Sequence, residues 1–162
     1  MNKYEPRIGD YGVIKTNGWM GWLIRVGTAS RWNHAFIYIG HGQIVEANPK
    51  GVEISDVSKY DTVGEIAWNK HEKLTSAQRL KIITRAQDFV GSSYGFTQIL
   101  IIAFRAIGLK ILPTLRKVAE NKESVICSQL VAWSYSVAGI KVSDKPHAFT
   151  TPGDLAFRLI YQ

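Results

Sequence analysis

The residues best suited to covalent chemistry lie in Ser124–Trp133, a stretch that contains Cys127, the only cysteine of the chain. Its pattern predicts a helix with Ser124 as the N-cap, Cys127 in the first turn and Gly139 as the stop. The helix dipole and the unpaired backbone N–H groups of a first turn favour the thiolate, which is the nucleophilic form. A lone cysteine is also often a small buried residue of the core, and this is the alternative interpretation.

A cysteine nucleophile needs an imidazole that takes its proton and a third group that holds the imidazole. His34 is the candidate imidazole, because it begins a strand in the centre of the predicted sheet. Of the other histidines, His41 lies in a tight glycine turn, His71 in a charged stretch and His147 in a loop. A histidine at a strand start also suits a purely structural role.

The candidate third group is Glu46, a charged residue inside the apolar second strand of a predicted hairpin. It could instead be an outward residue of a half-exposed strand. A two-residue hairpin loop would place Ile37 opposite Glu46 and turn His34 to the other face. A three-residue loop, Gly40–Gly42, would place Phe36 opposite Glu46. His34 and Glu46 would then share a face as diagonal neighbours, so the site predicts the three-residue loop.

The elements that must position these residues predict an α+β fold. An antiparallel sheet is expected to pack on the cysteine helix and on accessory helices. Aromatic and β-branched runs predict strands joined as a meander, over residues 11–15, 33–39, 43–47, 52–54 and 62–68. The most regular helical pattern covers Thr75–Val90, where Thr75 and Gln78 form a capping box. Its predicted core face is Leu80, Ile83, Ala86 and Val90, with Arg79, Lys81, Arg85 and Asp88 mostly on the solvated side.

The stretch Gly95–Leu115 contains the run Ile99–Phe104, which is apolar all round, followed by Arg105 and Lys110. It is too short and too interrupted to span a bilayer. Three interpretations stay open for it: a buried helix, a lid over the active site, or an interfacial element.

Length and cysteine content limit the possible architectures. A chain of 162 residues predicts a single domain over residues 1–162. One cysteine excludes an internal disulfide and a four-cysteine zinc site, and the pattern requires neither metal nor cofactor. The polar first ten residues predict no signal peptide, so the expected location is cytoplasmic, or outside after release by another route.

The charge of the chain indicates an anionic partner. The formal net charge is +7 and the pI is about 9.6, which suits an anionic wall polymer or an anionic membrane surface. Nucleic acid is not expected, because the chain has no RNP box, zinc finger or Gly-rich phosphate loop. The positive charge could also serve solubility alone.

Taken together, these motifs resemble a known group, the circularly permuted papain-like hydrolases of the NlpC type. In papain the cysteine helix precedes the histidine strand, whereas the permuted group has the order histidine, polar residue, cysteine. The related lecithin:retinol acyltransferase family has a similar histidine strand, but a histidine where this chain has Glu46. Gly9-Asp10 and Pro152–Leu155 also resemble family features. The resemblance rests on three stretches in this order: Asn33–Gly40, Ile44–Ala47 and Cys127–Val131.

The resemblance implies a permuted papain-like fold, with a sheet or half-barrel on a catalytic helix, and a triad of Cys127, His34 and Glu46. It implies a cysteine amidase or peptidase that acts through a thioacyl-enzyme intermediate, for example on peptidoglycan peptides in a bacterium or phage. The alternatives are a thioesterase, acyl hydrolase or acyltransferase acting on lipid, and a non-catalytic binding module of the same fold. The substrate is thus expected to be a peptide or an acyl compound.

Overall fold

The computed structural model describes residues 4–70, 73–99, 101 and 124–160. Within these ranges five strands form an antiparallel sheet of order β4-β3-β2-β1-β5, and two short strands, β6 and β7, form a parallel pair. The strands are β1 Tyr11–Ile14, β2 His34–Gly40, β3 Gln43–Asn48, β4 Gly51–Asp56, β5 Ala67–Trp68, β6 Ser93–Tyr94 and β7 Ser124–Val125. The helices are α1 Trp19–Thr28, α2 Ser76–Gln87, α3 Cys127–Ser136 and α4 Pro152–Ile160, with 3₁₀ turns at Val57–Tyr60 and His147–Phe149. The predicted α+β class is confirmed.

The core lies on both faces of the sheet. One face packs against α3, in which every residue from Cys127 to Tyr135 is buried. The other face carries a separate apolar cluster that includes Phe36 and Tyr60. The two ends of the chain are tied into this core, because the Tyr11 hydroxyl donates to the Leu155 carbonyl at 3.1 Å.

The β2–β3 loop has two residues, His41 and Gly42, since Gly40 pairs with Gln43. Both loop residues have positive φ angles, 52° and 74°, as a type I′ turn requires. The predicted three-residue loop is therefore wrong. A turn of this type matches the twist of the two strands and closes them with the fewest residues.

The register that the site requires is nevertheless present, because a β-bulge at Ile39 adds one residue to β2. The bulge shifts the pairing, so that Phe36 lies opposite Glu46. His34 has the same parity as Phe36 and therefore shares a face with Glu46.

Strand β5 lies beside β1 and not beside β4, so the predicted meander is wrong at its last step. It is also shorter than the predicted strand over residues 62–68. Gly12 of β1 pairs with Trp68 on one side and with Phe36 on the other. A Cβ at Gly12 would lie 2.7 Å from the Phe36 ring. Glycine thus lets the Trp68 and Phe36 rings meet across β1, with centroids 5.5 Å apart, and this contact favours β5 at that edge.

Helix α2 begins with the predicted capping box between Thr75 and Gln78 and ends at Gln87, three residues before the predicted end. Two residues of the predicted core face, Ile83 and Ala86, do pack in the core, but the other two do not. Arg79, Ile82 and Ala86 are buried, whereas Leu80 and Val90 are 59% and 43% exposed. The Arg79 guanidinium donates to an Asp10 carboxylate oxygen and to the Ile8 carbonyl, at 2.8 Å each. A buried charge is tolerated when it is paired and hydrogen-bonded. Hydrophobic periodicity treats every arginine as a solvated residue, so it cannot predict that Arg79 is buried against Asp10.

The stretch 95–115 is described only at residues 95–99 and 101. Ile101 is buried and packs with Ile126, Ala148 and Phe149. Arg105, Lys110 and the rest of the apolar run lie outside the described residues, so their role as core, lid or interfacial element stays a prediction. No helix within the described ranges is long and apolar enough to cross a bilayer.

Candidate active site

The imidazole of His34 and the carboxylate of Glu46 form a buried pair. His34 Nε2 lies 2.7 Å from Glu46 Oε2, and the two residues are 9% and 0% exposed. Strands β2 and β3 supply one group each, in the diagonal relation that the bulge at Ile39 creates. The predicted proximity of His34 and Glu46 is thus observed, while their chemical role stays a prediction.

Two further groups hold the same carboxylate. The Tyr60 hydroxyl donates to Glu46 Oε2 at 2.5 Å, and the Lys59 ammonium donates to Oε1. Both residues come from the 3₁₀ turn Val57–Tyr60, which is capped where the Asp56 side chain accepts from the Ser58 N–H. The contacts of Lys59 and Tyr60 with Glu46 were not predicted, because no sequence spacing connects a short turn to a strand two elements earlier.

Cys127 is the first residue of α3 and is 1% exposed. The predicted N-cap is wrong: Ile126 occupies that position, and Ser124 belongs to β7. Ser124 is drawn away from the helix because its carbonyl and hydroxyl accept hydrogen bonds from the Gln98 amide. Cys127 still lies in the first turn, where a backbone N–H has no partner within the helix. The helix ends at Ser136, and Gly139, at φ 75°, closes the turn that follows it.

Cys127 also interacts with the His34 side chain. Since Nε2 of His34 is used by Glu46, Nδ1 is the ring nitrogen left to face the thiol. His34 begins β2 and Cys127 begins α3, so both side chains lie at the ends of their elements. The structure therefore brings the three predicted residues together in the order thiol, imidazole, carboxylate.

The electrostatics of the group favour an imidazolium. Burial lowers the pKa of His34, but the contacts with Cys127 and with Glu46 raise it more, to about 9. Burial raises the pKa of the Glu46 carboxyl, but its bonds to His34 and Lys59 hold that pKa well below the usual range. The pKa of the Tyr60 hydroxyl is raised by burial and by the Glu46 charge, so this hydroxyl remains a donor.

A cleft of about 310 Å³ opens beside His34 and Glu46. One wall comes from the loop before α1 and the first turns of that helix, and another from the turn between β3 and β4. Its lining residues are Thr16, Asn17, Gly18, Gly21, Ile24, Asn33, His34, Glu46, Ala47, Asn48, Pro49, Lys59, Tyr60 and Tyr94. This cleft is large enough for a few residues of peptide or a short acyl chain.

Tyr94 is a candidate oxyanion donor that was not predicted from the sequence. It pairs with Val125, two residues before Cys127, in the β6–β7 ladder, and it lines the cleft. Burial and the charge of Cys127 raise the pKa of its hydroxyl. If Cys127 acts as a nucleophile, a phenol that stays protonated near it is suited to donate a hydrogen bond to a developing oxyanion. A two-residue parallel ladder has too weak a sequence signal to reveal this contact.

The donor set is poorly suited to a metal ion. Both Glu46 oxygens already accept hydrogen bonds, one of them from a cationic ammonium. Within the described ranges there is no group of three or more His, Cys, Asp and Glu residues arranged to hold a metal. Of the other histidines, His41 lies exposed in the β2–β3 turn and His147 in a 3₁₀ turn, whereas His71 is outside the described residues.

The chain matches no protein-family model and no curated protein. It is similar in structure to a crystal structure of the metalloprotein yiiX, a DUF1105 protein of Escherichia coli O157:H7. The TM-score is 0.62 at 17% sequence identity, over 87% of this chain and 71% of that chain. At this identity the similarity establishes a shared fold and nothing about activity.

Proposed function

We propose that this protein is a cysteine hydrolase with a permuted papain-like fold that cleaves an amide bond of a peptide. The observation that carries the proposal is the position of His34, which contacts Glu46 on one side and Cys127 on the other, at the edge of a cleft. Nucleophile, base and orienting group in contact are the arrangement that nucleophilic catalysis requires.

The reaction begins when the Cys127 thiolate attacks the carbonyl carbon of the substrate and forms a C–S bond. The carbonyl oxygen becomes an oxyanion, for which the Cys127 backbone N–H and the Tyr94 hydroxyl are the candidate donors. The His34 imidazolium gives its proton to the leaving nitrogen as the C–N bond breaks. Water then attacks the thioacyl carbon while His34 takes a proton from it. The C–S bond breaks, the carboxylic acid leaves, and the Cys127 thiolate and His34 imidazolium are regenerated.

A lipid or thioester substrate is the second candidate, and one observation favours it. Trp22 and Val26, one turn apart on α1, are 56% and 62% exposed, while Gly21 and Ile24 of the same helix line the cleft. An apolar outer face beside a substrate cleft suits contact with an acyl chain or a membrane surface. The net charge of +7 fits an anionic membrane or an anionic wall polymer equally well.

Activity-based labelling tests the proposal and separates these candidates. One electrophile is carried on a short peptide and the same electrophile on an acyl chain, each competed by its own substrate class. Because the chain has one cysteine, Cys127→Ser is an unambiguous blank. We expect peptide-probe labelling that Glu46→Gln slows by roughly 10²-fold or more, as expected when the orienting carboxylate is lost, and that Glu65→Gln leaves unchanged.

Each result then points to one function. Preferred labelling by the acyl probe would replace the amidase by an acyl hydrolase or acyltransferase. Labelling by neither probe, in a folded protein, would favour the non-catalytic binding module.

The same labelling in EDTA tests for a metal requirement, which the metalloprotein yiiX suggests. We expect no change in labelling, because both oxygens of Glu46 already accept hydrogen bonds.

A further inference from the structure

The triad carboxylate is held on three sides by side chains. Glu46 Oε2 receives His34 Nε2 and the Tyr60 hydroxyl, and Oε1 receives the Lys59 ammonium. A glutamate has three side-chain torsions, and its terminal torsion is soft. With a single partner the carboxylate could rotate, and the acceptor facing the imidazole would move.

Tyr60 and Lys59 are themselves fixed. The Tyr60 ring stacks on Phe36 with centroids 5.2 Å apart and an interplanar angle of 5°. The Lys59 ammonium also donates to Ser55 Oγ at 3.2 Å. The turn that carries both residues is anchored, since the Val57 N–H donates to the Gly42 carbonyl at 2.8 Å.

From these contacts we infer that Lys59 and Tyr60 form a positioning clamp, which acts through Glu46 to keep the His34 imidazole aimed at Cys127. The inference rests on the proposed function of the three residues. It adds two residues whose hydrogen bonds go to Glu46, although both also line the cleft. Side chains that hold the carboxylate, which in turn holds the imidazole, keep a catalytic imidazole within a few tenths of an ångström of its productive position.

If the clamp acts through Glu46, the effect of a Tyr60 substitution should depend on whether Glu46 is present. Tyr60→Phe removes one hydroxyl, and we expect it to lower the rate at which iodoacetamide alkylates Cys127 by roughly tenfold, as is typical for outer-shell partners. In a Glu46→Ala background the same substitution should have no further effect. Tyr38→Phe is the matched control, because Tyr38 belongs to the same aromatic cluster and bonds only outside the site, where its hydroxyl accepts from the Gly42 N–H.

Lys59 gives a second variant in case Tyr60→Phe does not fold. Its side chain is 39% exposed, so Lys59→Met should leave the fold intact while lowering the alkylation rate. Lys59→Arg keeps the cation and should restore most of that rate. If a turnover assay is found, Tyr60→Phe and Lys59→Met should lower kcat more than they raise KM.

The outcomes separate the clamp from the proposed function. Equal rate losses from Tyr60→Phe with and without Glu46 would overturn the clamp, because Tyr60 would then act independently. A rate unchanged in both Tyr60→Phe and Lys59→Met would overturn it as well. Alkylation that follows the predicted dependence, in a protein that hydrolyses no peptide or acyl probe, would support the clamp and reject the hydrolase.

Discussion

At the scale of single residues, the chemistry depends on where His34 keeps its proton. Its pKa of about 9 is the result of burial, which lowers it, and of the contacts with Cys127 and Glu46, which raise it more. At neutral pH the ring is therefore an imidazolium between two groups that carry or can carry negative charge. In the proposed reaction this imidazolium gives its proton to the leaving group.

This state of His34 predicts a pH dependence that can be measured. The folded pKa lies above the ordinary value of 6.5, so the stabilisation is complete below about 6.5 and disappears as pH rises through about 9. NMR titration of the imidazole should give a midpoint near 9 in the wild type. Cys127→Ser and Glu46→Gln should each lower it, because each removes a group that raises the pKa.

His34→Ala assigns the signals, because the imidazole resonances missing from its spectrum belong to His34. A wild-type midpoint for His34 at or below 6.5 would mean that burial outweighs the two contacts. His34 would then be a neutral imidazole at neutral pH.

At the scale of elements, the site depends on one extra residue. The bulge at Ile39 compensates the even two-residue turn, so that His34 and Glu46 face the same side. A β-bulge beside a functional group is a common means of redirecting a side chain.

Deletion of Ile39 should therefore abolish the site. With the two-residue turn retained, every residue of β2 before the bulge would change face relative to β3. We expect Cys127 alkylation to fall to the rate of His34→Ala. Ile39→Val keeps the bulge and serves as the control. A deletion variant that reacts as fast as the wild type, with native circular dichroism, would contradict the register argument.

A second prediction at this scale concerns the link between α2 and the strand β1. The Arg79–Asp10 pair is buried, with side chains 7% and 0% exposed. Asp10→Asn removes the charge that faces the guanidinium and should lower the free energy of unfolding by roughly 3 kcal/mol or more. The exposed pair Arg85–Asp88 is the comparison, since Asp88→Asn should cost less than about 1 kcal/mol. If urea unfolding gives the same loss of stability for Asp10→Asn and Asp88→Asn, burial does not strengthen the Arg79–Asp10 pair.

These elements show what the sequence allows one to predict. The strand β2 and the Thr75 cap depend on neighbours in the sequence, and both were predicted. The buried Arg79 depends on Asp10, 69 residues away, and hydrophobic periodicity assigns arginine to the solvated side. The register of His34 and Glu46 was predicted for the wrong reason, because a bulge and a longer loop have the same effect on parity.

At the scale of the whole molecule, the net charge of +7 predicts weak binding to polyanions. Such binding is long-ranged and screened by salt, with a Debye length near 8 Å at physiological ionic strength. Co-sedimentation should show association with an anionic wall polymer and with anionic vesicles at low salt, and loss of both at about 0.5 M salt. An uncharged polysaccharide is the control. Binding that persists at high salt would indicate a specific, largely uncharged contact.

The hydrogen bond from the Tyr11 hydroxyl to the Leu155 carbonyl joins residues 144 positions apart. It places β1, which lies between two other strands in the sheet, against α4, a helix that is synthesised much later. A contact between residues so far apart in the sequence carries a loop-closure cost. The docking of β1 against α4 is therefore predicted to be a slow, late step of folding. In pulsed hydrogen-exchange refolding we expect the amides of β1 to gain protection together with those of α4, and later than those of the β2–β3 hairpin. On the ribosome, the β2–β3 hairpin would then form before β1 docks, and β1 would dock only after α4 has emerged.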